Sequence, residues 1–323
     1  MGKSICITHG KDVDGLSSAA IVKMVTNADV ILSDYDTIIS DLTMVEKVDE
    51  LYICDLGMND RTEEGFLKQV KRIRKFAKVT LLDHHPMTPS VHSSLKKMGV
   101  KVYHNLNECA SVIVYLALKR KTKESAKLLA SYGAITDYLD LGPEASGIIE
   151  MYDRQFLLLE ATLLSHAMGR KTDLRFRHRL VDALAEGVHP HQIPGITKYS
   201  SEQAEKVSLL MKSVKTKGKK KKGLAYFLTE ERSTGNVANL LPGAFGVKVG
   251  LSLKLNSRDE SYDVSARGLS SFNGHLGDIM AKVSSKVGGY GGGHRLASGA
   301  RIPPGSVTKF LNAFDKEVLA AQR

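Results

Sequence analysis

Aspartate and histidine recur along the first 140 residues in places where they could act together. His9-Gly10-Lys11-Asp12-Val13-Asp14-Gly15 follows a short apolar run over residues 4–8. Asp55 ends a second such run, Leu-Tyr-Ile-Cys-Asp-Leu at 51–56, and Asp83-His84-His85 ends a third, at 78–82. Asp137 follows a helical pattern over 123–135. Carboxylate and imidazole donors without cysteine suit a hard or borderline divalent cation such as Mn²⁺ or Mg²⁺. So many carboxylates in one place would repel one another without a cation, which favours two metal ions over none. Each residue alone has a plainer explanation. Asp12 and Asp14 could be turn or helix-capping residues ahead of Gly15, and Asp55 could simply terminate a strand. The joint occurrence at three strand ends argues for the metal site.

That argument requires the strands to share one edge. Runs at 4–8, 29–33, 51–56, 78–82 and 101–103 read as strands, and 16–25, 63–76, 108–118 and 123–135 as helices. Such alternation implies βαβ units and a parallel sheet. In a parallel sheet the carboxyl ends of the strands lie along one edge, where ligands bind. His9, Asp12, Asp14, Asp55, Asp83, His84 and His85 can therefore converge although distant in sequence.

Residues 147–213 lose the strand signal, with helical patterns over 147–166 and 201–214. A lysine-rich run at 215–222 should repel itself and stay solvated, marking a boundary. Strand patterns return at 224–228, 247–255 and 262–267, with helices at 276–287 and 307–320 and a glycine-rich loop over 288–293. We expect an α/β protein in three parts: a parallel-sheet domain over 1–146, a helical connector with a basic linker over 147–222, and a smaller α+β domain over 223–323.

A chain of 323 residues with 42% hydrophobic and 25% charged residues is globular, and too apolar to be disordered throughout. The longest apolar stretches are about eight residues, short of the roughly 20 that span a membrane. The amino-terminal residues show no signal-peptide pattern. The cysteines, Cys6, Cys54 and Cys109, form no CxxC pair, which points to a reducing, cytoplasmic setting. The net charge of +11 favours polyanionic partners.

The set Asp83-His84-His85 with His9, Asp12, Asp14, Asp55 and Asp137 resembles the DHH phosphoesterase superfamily. Gly291-Gly292-Gly293-His294, followed by Ala297-Ser298-Gly299-Ala300, is similar to the GGGH signature of its DHHA1 subfamily. The resemblance covers roughly 3–140 and 224–320. The subfamily contains RecJ-like exonucleases, oligoribonucleases of the NrnA type and dinucleotide phosphodiesterases. Carried onto this sequence, the resemblance implies an active site in the cleft between a DHH and a DHHA1 domain. It implies one Mn²⁺ held by His9, Asp12 and Asp55, and a second by Asp14, Asp55, His84 and Asp137, with Mg²⁺ chemically admissible. Asp83 would orient a histidine, and His85 would face the substrate phosphate. Arg267 would contact phosphate, with backbone at Gly292 and Gly293, His294 and Asn236 around it, and Tyr290 would stack a base. Many RecJ-like members place one residue between the first His and Asp; here Gly10 and Lys11 both intervene.

The activity so implied is two-metal phosphodiester hydrolysis, releasing mononucleotides from single-stranded RNA or DNA. The chain has little length for an added long-DNA domain, which favours short oligonucleotides. The alternatives are a cyclic or linear dinucleotide phosphodiesterase, a pAp phosphatase, or a non-catalytic replication or repair subunit. Inorganic pyrophosphatase fits less well, because GGGH replaces its basic carboxy-terminal signature. Segment 147–213 could dock a helicase, replisome proteins or a second copy of the chain. Two basic clusters, residues 68–78 and the arginines flanking Phe176, are candidate nucleic-acid contacts, the latter by stacking a base.

Overall fold

The computed structural model describes residues 2–58, 62–231, 233–257 and 259–322. They divide into two compact units, Met1–Ala204 and Glu205–Arg323.

The first unit begins with β1 (Ser4–His9), α1 (Val13–Thr26), β2 (Asp29–Ser33), α2 (Ile38–Thr43) and β3 (Glu50–Cys54). It continues with α3 (Glu63–Ile73), β4 (Lys78–Asp83), α4 (Pro89–Lys97) and β5 (Lys101–His104). Then come α5 (Ala110–Leu118), α6 (Ser125–Thr136), α7 (Pro143–Ile149), α8 (Arg154–Arg170) and α9 (Leu174–Glu186). The five strands form one sheet in the order β2-β1-β3-β4-β5, every pairing parallel. Alternation along the strands feeds two cores. Ile5, Ile7, Leu51, Ile53, Val79 and Leu81 point to one face, where Phe66, Val70 and Leu95 of α3 and α4 cover them. Cys6, Cys54 and Leu82 point to the other, into a core with α1, α5 and α6. Helices on both faces of a parallel sheet are the doubly wound arrangement, and its strand order reverses between β1 and β3.

The helices after residue 147 are part of this unit. Ile148, Leu157, Leu164, Phe176, Leu180 and Leu184 lie in the same core as Leu16 of α1 and Val112 of α5. A separate connector is therefore not what these residues form. The division falls within α10 (Ile196–Lys217), earlier than the lysine run. Nor is that run a loop. It completes α10 and forms the short β6 (Lys219–Lys220), which pairs with β7 (Leu224–Leu228).

The second unit then adds α11 (Thr234–Phe245), β8 (Val249–Leu255), β9 (Tyr262–Gly268) and α12 (Leu276–Lys286). It ends with β10 (Tyr290–Gly293), β11 (Ala297–Ile302) and α13 (Val307–Ala320). Its sheet runs β10-β11-β9-β8-β7-β6, antiparallel except for the β7–β8 pair that α11 connects. Leu251, Leu253, Val264, Met280, Phe310 and Phe314 form its core. Of the glycine segment 288–293 read as a loop, Tyr290–Gly293 is a strand, with Gly291 opposite Ala300 and Gly292 opposite Gly299. Glycine is a poor strand former, but here backbone packs on backbone. A Cβ on Gly277 of α12 would collide with the Gly293 carbonyl.

Candidate metal centre

The carboxyl ends of β1, β3 and β4 bring the aspartates and histidines of the first unit together. β1 ends at His9, and the chain turns at once into α1. Asp12 caps that helix, its Oδ1 accepting from Gly15 N at 2.9 Å, so Asp12 does serve as a helix cap. Its other oxygen, Oδ2, lies 2.6 Å from His9 Nδ1. Gly15 lets the helix start this close to the strand, because a Cβ there would strike the His9 carbonyl. Asp14 is buried and accepts from two backbone amides at the start of α5, Ala110 N at 2.8 Å and Ser111 N at 2.9 Å.

Asp55 sits at the centre. It follows β3 with φ of 56°, a left-handed conformation that costs a non-glycine residue about 1 kcal/mol or more. Its Oδ1 is 3.3 Å from His84 Nε2, and its Oδ2 is 3.9 Å from His9 Nδ1. His84 Nε2 also lies 3.5 Å from Asp137 Oδ2. Three overlapping donor groups result: His9, Asp12 and Asp55; Asp14, His84 and Asp137; and Asp55, Asp83, His84 and His85. The first two correspond to the ligand sets implied by the sequence resemblance, with Asp55 beside both. The longer spacing from His9 to Asp12 is absorbed by the turn that caps α1.

Asp83 is a hub. One oxygen accepts from His84 N at 2.7 Å, His85 N at 3.1 Å and His85 Nδ1 at 2.8 Å. The histidine ring that Asp83 contacts is thus His85. The other nitrogen of His85 meets Tyr35 Oη at 3.0 Å. Tyr35 also packs against the His9 ring, with centroids 4.8 Å apart. His104 Nε2 reaches the His85 carbonyl at 2.6 Å and pins that loop. Sequence reading missed Tyr35, Asp34 and His104. Asp34 was within reach, since it follows β2 at the same sheet edge; it lies 3.5 Å from His9 Nε2 and pairs with Lys11.

The electrostatics are those of a site short of positive charge. Burial, then the surrounding carboxylates, push Asp55 well above the usual carboxylate range, and Asp137 likewise. Against the cost of burial, Asp12 and Asp34 raise His9 to about 10, and His9 with the Gly15 amide holds Asp12 down to about 2. Burial lowers His84. His85 is raised, its bond to Asp83 outweighing burial. Among the described residues, two buried polar atoms of the cluster lack a well-formed hydrogen bond: Asp55 Oδ2, and His9 Nε2, which has only Asp34 Oδ1 at 3.5 Å. Buried donors and acceptors are nearly always paired. Such nitrogen and carboxylate atoms amid mutually repelling aspartates fit divalent cations.

In the second unit Arg267, at the end of β9, lies over the start of α11. A Cβ on Gly235 would come within 2.6 Å of its Nη2, so the bare glycine admits the guanidinium. Thr234 Oγ1 and Ser265 Oγ bond at 2.7 Å beneath it. Asn236 is in the first turn of α11, so Arg267, Asn236 and free helix amides gather at one point suited to an anion. Gly293, with φ of 138°, must be glycine, and space above Gly292 is open. His294 N donates to the Ala297 carbonyl at 2.7 Å, closing the hairpin. Tyr290 is half exposed at the opposite end of β10, paired in register with Arg301.

Residues 220–320 match the family model of the DHHA1 domain. That match lies within the second unit. Among curated proteins, none matches the chain by sequence. Solved structures match it over its whole length. A pGpG-specific phosphodiesterase, PggH from Vibrio cholerae, aligns with a TM-score of 0.58 at 15% identity, covering 99% of each chain. A DHH domain described as a member of the s1p family of ribosomal proteins aligns with a TM-score of 0.76 at 16% identity, over 98% of this chain and 86% of that one. RecJ from Thermus thermophilus, in complex with Mn²⁺, aligns with a TM-score of 0.67 at 13% identity, over 99% of this chain and 52% of RecJ. The fold is the one these structures share.

Proposed function

We propose that this chain is a metal-dependent phosphodiesterase that hydrolyses short single-stranded oligonucleotides. The observation that carries the reading is the cluster at the carboxyl ends of β1, β3 and β4, whose His9 Nε2 and Asp55 Oδ2 lack a well-formed hydrogen bond among the described residues. His9, Asp12 and Asp55 would hold one divalent ion, and Asp14, His84 and Asp137 a second, with Asp55 serving both. The neighbouring RecJ holds Mn²⁺, and an all Asp/His donor set accepts Mn²⁺ or Mg²⁺. When bound, such ions lower the pKa of a coordinated water and polarise the phosphoryl group.

The chain's own residues do the rest. The two α5 amides fix the Asp14 carboxylate. Asp83 fixes His85 and keeps its Nδ1 proton, leaving Nε2 as the nitrogen toward Tyr35. A phosphate at His85 must therefore displace or share the Tyr35 hydroxyl. His85 would offset charge developing on the phosphoryl oxygens. In the DHHA1 domain, Arg267, Asn236 and the Gly292–Gly293 backbone would grip a phosphate, with His294 beside them and Tyr290 offering a stacking surface.

The likeness to a pGpG-specific enzyme, which matches end to end, supports a short substrate. A dinucleotide phosphodiesterase is the second reading on the same observation. The deciding experiment is hydrolysis of labelled RNA and DNA 20-mers, short oligomers and dinucleotides with Mn²⁺, comparing wild type with Asp55→Asn. Cleavage of oligomers by wild type alone supports the proposal. Cleavage confined to dinucleotides moves the assignment to the second reading. No metal-dependent cleavage of any of them defeats both.

A further inference from the structure

Helix α9 packs against α1, the helix that Asp12 caps, and against the edge strand β2. Its amino-terminal turn is rich in arginine, but the basic residues there differ in how they are used. Arg170 pairs with Glu202 at 2.8 Å, and Lys171 with Asp173 at 3.1 Å. The Arg179 guanidinium lies 5.6 Å from the centre of the Phe176 ring. Phe176 is buried against Tyr199, so the base-stacking role considered for it is ruled out.

Arg177 is different. Its side chain makes no hydrogen bond and no ion pair among the described residues, and its Nε is walled off from solvent. Yet it is half buried, and apart from Asp173 the carboxylates whose charge reaches it are Asp12 and Asp34, both at the metal cluster. A guanidinium presents five donors in a fork that matches phosphate. Leaving the walled-off Nε donor unused beside a carboxylate-rich site is costly. Asp12 cannot be its lasting partner if it holds a metal, and Asp34 is already engaged by Lys11 and His9.

We propose that Arg177 binds a second, non-scissile phosphate of the substrate, on the β2 side of the metal cluster. The proposal rests on the phosphodiesterase reading and sharpens it. A dinucleotide carrying a terminal phosphate should then be a better substrate than the same dinucleotide without one. Arg177 is a specificity-determining residue in this account, since the bond cut lies at the metals.

The test compares wild type with Arg177→Gln, which keeps most of the buried stem, on three dinucleotides: 5′-phosphorylated, 3′-phosphorylated and unphosphorylated. Expected is a loss of about tenfold in kcat/KM on one phosphorylated substrate and less than about threefold on the unphosphorylated one, with unchanged circular dichroism and Tm. Arg177→Lys should recover only part, because the bidentate grip is lost. Equal losses on all three, or no loss, overturn the proposal. If wild type cleaves none of them, the phosphodiesterase reading is what fails. Arg177 is then judged by calorimetric binding of the same dinucleotides with Ca²⁺. A terminal-phosphate preference present in wild type and absent in Arg177→Gln supports it, and its presence in both, or absence from both, overturns it.

Discussion

Asp55 concentrates the tension of the site in one residue. It is buried, left-handed and surrounded by other carboxylates. Asp55→Asn keeps the shape and tolerates the same φ, while removing the like-charge repulsion. We expect the metal-free variant to be more stable than metal-free wild type by about 1–2 kcal/mol, and to lose most of the Tm increase that Mn²⁺ gives wild type. Thermal melts with chelator and with Mn²⁺ check both. The titrations also set a pH dependence. Asp55 and Asp137, raised in the folded state, hold protons there that the unfolded chain has released above the ordinary carboxylate pKa. Their stabilising contribution is therefore lost as pH rises. His9, at about 10, and the raised His85 add a loss above about pH 6.5, and the lowered His84 opposes it. Metal-free protein should lose about 3 °C or more in Tm between pH 5 and pH 8. With Mn²⁺ the trend should reverse, because the ion binds the deprotonated ligands. A flat or rising metal-free profile would count against this account of the charges.

Elements place these residues by tying helix starts to carboxylates. Asp14 caps α5, and the fully buried Glu108 caps α7, accepting from Glu144 N at 2.6 Å and Ala145 N at 3.1 Å. Glu108→Ala should cost about 2 kcal/mol, read from urea unfolding. A Cβ on Gly133 would collide with Ser111 Oγ and crowd Asp14 Oδ1, so α6 packs there only with glycine. Gly133→Ala should destabilise the unit by about 1–3 kcal/mol and weaken metal binding, measured by Mn²⁺ titration. Much of this scale could be read from the residues. The runs at 29–33 and 307–320 coincide with β2 and α13, because apolar pattern and turn residues agree there. The cluster was legible because parallel strands must share an edge. Less legible was whatever depends on tertiary packing. Strand β10 exists only through its pairing with β11. Tyr35 carries no mark, beyond following a strand, of meeting both His9 and His85. α9 shows Phe176, Leu180, Val181 and Leu184 at helical spacing, but nothing local says they complete the core of the first unit.

At the scale of the molecule, two charge distributions meet. The chain carries +11 overall, while its candidate site is locally acidic. Metal loading reconciles them, and it should also stabilise the fold. At a free Mn²⁺ concentration about 100 times Kd, the gain is about 2.7 kcal/mol. Oligonucleotide binding should weaken steeply with salt, with a log–log slope that grows with the number of phosphates neutralised. A slope indistinguishable between dinucleotide and longer oligomer would place the contacts at one end of the strand. A larger slope for the oligomer would assign a part to lysines beyond the site.

The backbone angle at Asp55 carries a last consequence, for descent. Few side chains accept that left-handed turn, and asparagine, which does, differs from aspartate by a single base change. The substitution that ends metal chemistry at this position is thus among the easiest to acquire and the least disruptive to the fold. On the phosphodiesterase reading, a lineage bearing this scaffold stands one mutational step from a protein that keeps its shape and has stopped cutting.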